Sequence, residues 1–165
     1  MIDGVKLISL KTNLDERGFF REVLRIGDIE QFGQWSHSVM YDGEPVIKAF
    51  HIHQIQWDYW YVPVGVVKAV LVECRHAGMQ IGTDGKCHPR NPIVPSTQEE
   101  CHSFLLGDNH PAQVLAIPPG VAHGLKVLQG PAHLFYVTSH VYNPKDEGRI
   151  PYDALGYDWH RVEIK

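Results

Sequence analysis

Two histidines stand one residue apart, His51 and His53, in the run HIHQIQWDYWYVPVG, and a carboxylate, Asp58, follows five positions beyond the second. In a strand, residues two apart face the same way, so both imidazoles project onto one face. The intervening QIQ can turn the chain back, which lets Asp58 open the next strand near the same spot. A further histidine, His123, follows the Pro-Pro-Gly turn of IPPGVAHG on a strand that can lie beside the first two. Three neutral imidazoles and one carboxylate suit Fe(II), Mn(II), Ni(II) or Zn(II), with coordination positions left open for a substrate. The same four side chains could equally form a metal-free pocket in which they hydrogen-bond one another and move protons. Residue types and spacing leave both chemistries open.

Such a site must be positioned by strands. Runs rich in Val, Ile, Leu and aromatics recur between Gly, Pro, Asn and Asp: VKLISL, VIKAFHIH, DYWYVPV, VVKAVLVE, CHSFLLG, QVLAIP, GLKVL and HLFYVTSH. Many short strands at close spacing predict an all-β sandwich or small barrel. IGDIEQFGQ and the segment after NPKDE predict short peripheral helices, and KDEGR reads as a solvated turn. Strand alternation sends Tyr59 and Trp60 to opposite faces, so at least one of them belongs to core or interface. A long Gly- and Pro-rich stretch from His76 to Gln98 lacks alternation and reads as a loop, either a lid or a tip. With 165 residues and no linker or repeat, the chain predicts one domain spanning 1–165.

Charge and cysteine usage narrow the partners. Fifteen Lys and Arg against nineteen Asp and Glu leave a net charge of -4, so no global basic field attracts nucleic acid or an anionic membrane. Any phosphate must be held locally. Three cysteines without a CxxC pair suit reduced thiols, and neither a signal-like amino terminus nor a spanning apolar run is present, so a cytoplasmic protein is expected.

The histidine-bearing segments resemble the two signature motifs of the cupin superfamily, HxH(x)4E(x)6G and PxG(x)2H, as His51, His53, Asp58 and Gly65, then Pro118, Gly120 and His123. Asp58 stands where the motif has Glu, and Val127 where it often has Asn. The rest of the chain resembles one family more specifically. LDERGFFRE fits D-x-R-G-x-F-x-E, VIKAFH is similar to V-L-R-G-L-H, VECR to V-D-L-R, and IPPGVAHGLKVL to I-P-x-G-x-A-H-G-F-x-V-L. The run from Leu134 to Trp159 resembles a carboxy-terminal pattern ending N-D-P-x-L-x-I-x-W. These are motifs of the dTDP-4-dehydrorhamnose 3,5-epimerase family, itself a cupin-type jelly roll, and they keep their order over nearly the whole chain.

The resemblance implies inversion of carbon centres next to a ketone in a nucleotide-linked sugar. His51 would be the base, oriented by Asp153, and Tyr136 the acid. His123 and Tyr142 fall on family site positions, whereas Arg17, Phe20 and Glu22 match residues that grip the nucleotide and often reach across a homodimer. Lys48 replaces an Arg expected to meet phosphate, and Glu73 replaces the Asp of V-D-L-R. Two departures bear on the chemistry. Asp58 occupies the position of the family's catalytic Lys, and His53 that of a Gln. Either a divalent metal (Fe, Mn, Ni or Zn) held by His51, His53, Asp58 and His123 replaces the lost cation, or no cofactor binds and Asp58 and His53 serve as a further acid/base pair. Retention of Asp153, Tyr136 and the Arg17 segment favours the metal-free reading. The corresponding activities are an epimerase or keto-isomerase of a dTDP-linked 4-keto-6-deoxy sugar, a metal-dependent cupin oxygenase or isomerase, and a non-catalytic sugar-nucleotide binder.

Overall fold

The computed structural model describes residues 1–41, 46–84, 87–89 and 101–162. It is all-β. The strands are β1 (Lys6–Ser9), β2 (Thr12–Asp15), β3 (Gly18–Arg21), β4 (Gln34–Met40), β5 (Ile47–His53), β6 (Asp58–Glu73), β7 (Met79–Ile81), β8 (Cys87–Pro89), β9 (Cys101–Gly107), β10 (Gln113–Ile117), β11 (Val121–Thr138) and β12 (Glu147–Arg149). The helices expected at IGDIEQFGQ and after NPKDE do not form. Ile26–Asp28 makes a single 3-10 turn, and the second segment carries β12 and turns. Neither segment has an apolar stripe long enough to reward the costly nucleation of a helix.

Two long strands organise the sheet. β6 and β11 run antiparallel from Asp58 against Thr138 to Glu73 against Val121. Each changes its second partner midway. The first part of β6 pairs β10, and the part beyond Gly65 pairs β9. The first part of β11 pairs β5, and its later part pairs β4. The bend in β6 falls at Gly65, whose φ is +76° and where a Cβ would come within 2.7 Å of Ala132 Cα and the Gln129 carbonyl oxygen. Only glycine meets both demands.

Because the long strands bend, their two halves face each other across a common core. Trp60 and Val62 from before the bend pack with Val67, Ala69 and Leu71 from after it, together with Leu115, Ile117, Leu125, Leu134 and Met40. Alternation sends Val70 and Val72 the other way, into a second cluster with Phe50, Ile52 and Ala122 that Leu155 and Trp159 of the carboxy-terminal segment cover. β2 and β3 form a separate two-stranded hairpin. The expected loop 76–98 carries β7 and β8 within its described part, while residues 85–86 and 90–98 lie outside the described residues.

Candidate active site

Alternation along β5 decides where its histidines face. Phe50 and Ile52 are fully buried in the cluster under Trp159, so His51 and His53 project to the opposite side, into a cavity of about 370 Å³. On β11, Ala122 belongs to the same cluster and its neighbour His123 faces the cavity. Register then sets the row. His123 lies opposite His51, and on the other edge of β5 Arg149 lies opposite His51 and Glu147 opposite His53. Asp58 and Trp60 reach the same cavity from the start of β6.

The cavity wall contains a buried polar cluster built on one carboxylate. Asp146 Oδ1 accepts the backbone N–H groups of Gln54 and Ile55 at 2.9 and 3.0 Å, and Oδ2 accepts that of Gln56 at 3.2 Å. That grip fixes the turn between β5 and β6 and delivers the Gln56 side chain, whose amide donates to Asp58 Oδ1 at 2.8 Å and lies 3.3 Å from His53 Nε2. Trp60 Nε1 donates to Asp58 Oδ2 at 3.2 Å, and His123 Nε2 lies 3.4 Å from the same oxygen. His123 Nδ1 faces the Val121 carbonyl at 3.0 Å. His53 Nδ1 is 3.6 Å from Asp146 Oδ2, too far for a hydrogen bond, and it is a buried atom with no hydrogen-bond partner.

Electrostatics distinguish the members. Burial would raise the Asp58 carboxyl, but His123, His53 and the Gln56 amide outweigh it and hold the group at about 2, so Asp58 is an anion at neutral pH. Burial pulls His53 down, yet the carboxylates of Asp146, Asp58 and Glu147 prevail and it titrates above its ordinary value. The attraction across the 3.6 Å gap to Asp146 is coulombic. His51 goes the other way: burial first, then the neighbouring His123, lowers it to about 4, so its ring is neutral. His53, Asp58 and His123 are all buried, and their donor atoms lie within 4.8 Å of one another, a grouping able to hold a cation. His51 is outside that group.

The expected site residues divide by location. His51, His53, Asp58, His123, Tyr136, Tyr142 and Lys48 all line the cavity, Lys48 donating to Ser38 Oγ at 3.0 Å. Glu73 lies at the far end of β6, where it pairs with Arg75. Arg17 pairs with Asp15, Glu22 pairs with Arg25, and Phe20 is exposed on the hairpin; none of these lines the chain's own cavity. Asp153 is not brought to His51. It is exposed in a turn after β12, where its carbonyl accepts the Gly156 N–H at 3.3 Å. The carboxylate acting on His51 is that of Glu147, from the neighbouring strand. The segment is held by buried Leu155 and Trp159. Counted back from these in N-D-P-x-L-x-I-x-W, the Asp position falls on Tyr152 and Asp153 takes that of Pro.

Gln56, Asp146 and Arg149 complete the site and were not anticipated, and Glu147, which matches a family position, joins them although the resemblance gave it no role. KDEGR reads as a solvated turn because it is charged throughout, but Glu147 is 9% exposed and accepts from Arg149 Nε at 2.6 Å on a strand beside β5. Spacing carries no signal for a carboxylate 90 to 92 residues away that caps a turn through backbone N–H groups.

The chain is 40% identical over 166 residues to the Bacillus subtilis (strain 168) spore coat polysaccharide biosynthesis protein SpsL, covering 96% of this chain and 97% of that protein. The family profile described as dTDP-4-dehydrorhamnose 3,5-epimerase matches residues 95–165. The chain belongs to the dTDP-4-dehydrorhamnose 3,5-epimerase family. RmlC of Legionella pneumophila Philadelphia 1, a dTDP-6-deoxy-D-glucose-3,5-epimerase solved with dTDP-4-keto-L-rhamnose, shares 27% identity at a TM-score of 0.72 over 98% of this chain and 81% of that one. A dTDP sugar isomerase from Desulfovibrio desulfuricans G20 has the same fold, with 22% identity and a TM-score of 0.75 over 98% and 94% of the two chains. So does the 3,4-ketoisomerase QdtA of Thermoanaerobacterium thermosaccharolyticum, solved with TDP, at 18% identity and a TM-score of 0.67 over 94% and 95%. The dTDP-4-dehydrorhamnose 3,5-epimerase fold is thus a cupin-type jelly roll shared by sugar epimerases and ketoisomerases.

Proposed function

We propose that this protein is a cytoplasmic epimerase or keto-isomerase of a dTDP-linked 4-keto-6-deoxy sugar. The observation that carries the reading is that His51 and Tyr136, from β5 and β11, line one cavity. No described residue hydrogen-bonds the His51 ring, so a lone pair is free for a substrate proton. In the forward step His51 takes a proton from the carbon beside the ketone, and the C–H electron pair moves to the carbonyl oxygen. When the carbonyl re-forms, the Tyr136 hydroxyl returns a proton to the carbon from the other side, which inverts the centre. Lys48 and Arg149 supply positive charge at the cavity for the diphosphate. The nucleotide is gripped by Arg17, Phe20 and Glu22 of a second copy, because the hairpin bearing them stands apart from its own cavity with Phe20 exposed.

The test is incubation with dTDP-4-keto-6-deoxyglucose in deuterium oxide, followed by proton NMR. Deuterium should enter beside the ketone. His51→Ala should abolish exchange, and Tyr136→Phe should remove inverted product while leaving slow exchange at the carbon served by His51. Absence of exchange in the unmodified protein, with no binding of thymidine diphosphate, would reject the reading.

A further inference from the structure

We propose that His53, Asp58 and His123 form a three-ligand site for one divalent transition-metal ion in the cavity wall, with His51 outside the ligand set. The proposal begins with protons. The Val121 carbonyl can only accept, so His123 Nδ1, 3.0 Å away, carries the ring hydrogen. In the neutral ring Nε2 therefore presents a lone pair, and it presents it to Asp58 Oδ2 at 3.4 Å. With the ring neutral, two acceptors face each other across that gap; a second ring proton would bridge them, and a metal ion can take that proton's place.

His53 repeats the pattern. The Gln56 amide is a donor to Asp58 Oδ1, and its second hydrogen meets His53 Nε2 at 3.3 Å, which makes Nε2 the lone-pair nitrogen. A metal ion would take over that lone pair. The hydrogen then resides on Nδ1, the buried atom without a hydrogen-bond partner, which looks toward Asp146 Oδ2 at 3.6 Å. A carboxylate behind one imidazole and a backbone carbonyl behind the other are the supports that orient metal-bound histidines and raise their basicity.

Charge points the same way. Asp58 is buried, and among the described residues its side-chain partners are Gln56, Trp60 and His123, with no Lys or Arg. A buried carboxylate without a permanent cation is costly. Two imidazoles and a carboxylate suit Mn, Fe, Co, Ni or Zn and leave sites open toward the cavity. The His51 ring is 6.3 Å from that of His123, centroid to centroid, and keeps its lone pair. Base and metal are therefore compatible in one cavity. A divalent ion here would supply the Lewis-acid charge that a carboxylate at position 58 cannot; that role, unlike the site itself, rests on the proposed function.

Protein stripped with chelator and titrated with Co(II) should take up one ion per chain, develop visible d–d absorption and melt at higher temperature. Asp58→Asn, which keeps the shape of the side chain, and His123→Gln should each weaken uptake by about 100-fold or more, and Asp146→Asn by about 10- to 100-fold. Circular dichroism and melting of the metal-free variants establish that they fold, and His53→Gln stands in for any that does not. His51→Ala should leave stoichiometry and spectrum unchanged. No cobalt uptake at millimolar concentration would overturn the proposal, as would loss of the spectrum in His51→Ala. Cobalt uptake with neither deuterium exchange into the sugar nor binding of thymidine diphosphate would uphold the metal site and reject the proposed function alone.

Discussion

Asp146 shows how much one side chain does at this site without lining the cavity. Its two oxygens collect three consecutive backbone N–H groups, those of Gln54, Ile55 and Gln56, and so hold the turn that presents Gln56 to Asp58 and His53. Asp146→Ala strands those donors. With a net cost of about 1 to 3 kcal/mol for an unsatisfied buried group, the variant should lose about 2 to 4 kcal/mol in urea denaturation. Asp146→Asn should recover part of it, since its amide oxygen can still accept from Gln54 and Ile55. A loss below about 0.5 kcal/mol for the alanine variant would mean that the turn is held by other contacts. At this scale the sequence was legible where motif and alternation agreed: His51, His53, Asp58 and His123 share a cavity as strand geometry predicts. It misled at Asp153, where a one-residue shift in phase turns a carboxylate outward. Asp146 lacked any local pattern to announce it, and Glu147 matched a family position that carried no role.

At the scale of elements, Gly65 and the Gln129–Pro131 segment explain why the strand reading was right in content and wrong in number. DYWYVPV and VVKAVLVE are one strand, β6, and GLKVL and HLFYVTSH are one strand, β11. Glycine and proline were read as ends because they commonly stop strands, whereas here they bend strands that continue with a new partner. The bend folds the sheet over its core and puts Trp60 on the same side as Leu71. Gly65→Ala adds a Cβ at positive φ, 2.7 Å from backbone atoms of β11. The left-handed conformation costs about 1 to 2 kcal/mol, and the clash with immobile backbone about 1 to 3 kcal/mol. A destabilisation of about 2 to 5 kcal/mol by chemical denaturation is expected. Because the bend also carries the sheet that holds Asp58, cobalt uptake should weaken with it. A near-neutral Gly65→Ala would show that β6 can bend elsewhere.

At the scale of the molecule, one face of the sheet has no cover among the described residues. Trp35 and Phe135, from β4 and β11, meet at 5.8 Å between ring centroids and border an apolar groove of about 720 Å³ with Tyr59, Tyr61, Phe32 and Ile26. Ile26, Phe32 and Trp35 are exposed, as are Phe19 and Phe20 on the two-stranded hairpin. Apolar surface of this kind marks interaction sites, and a second copy that buries this face fits the proposed crossing of Arg17, Phe20 and Glu22 to a neighbouring cavity. Motif order made the family legible in the sequence, but a face between two copies has no periodicity of its own to read. The protein should sediment at twice the mass of one chain at micromolar concentration. Trp35→Glu separates a surface residue from an interface residue. Trp35 is 68% exposed in the isolated chain, where an exposed substitution changes stability by about 0.5 kcal/mol or less; under a partner the same change buries an unpaired charge. The variant should therefore sediment as a folded monomer and bind thymidine diphosphate more weakly, because the hairpin then has no second cavity to enter. Wild-type protein that is monomeric at that concentration, or Trp35→Glu protein that remains a dimer, would show that this face is not where two copies meet.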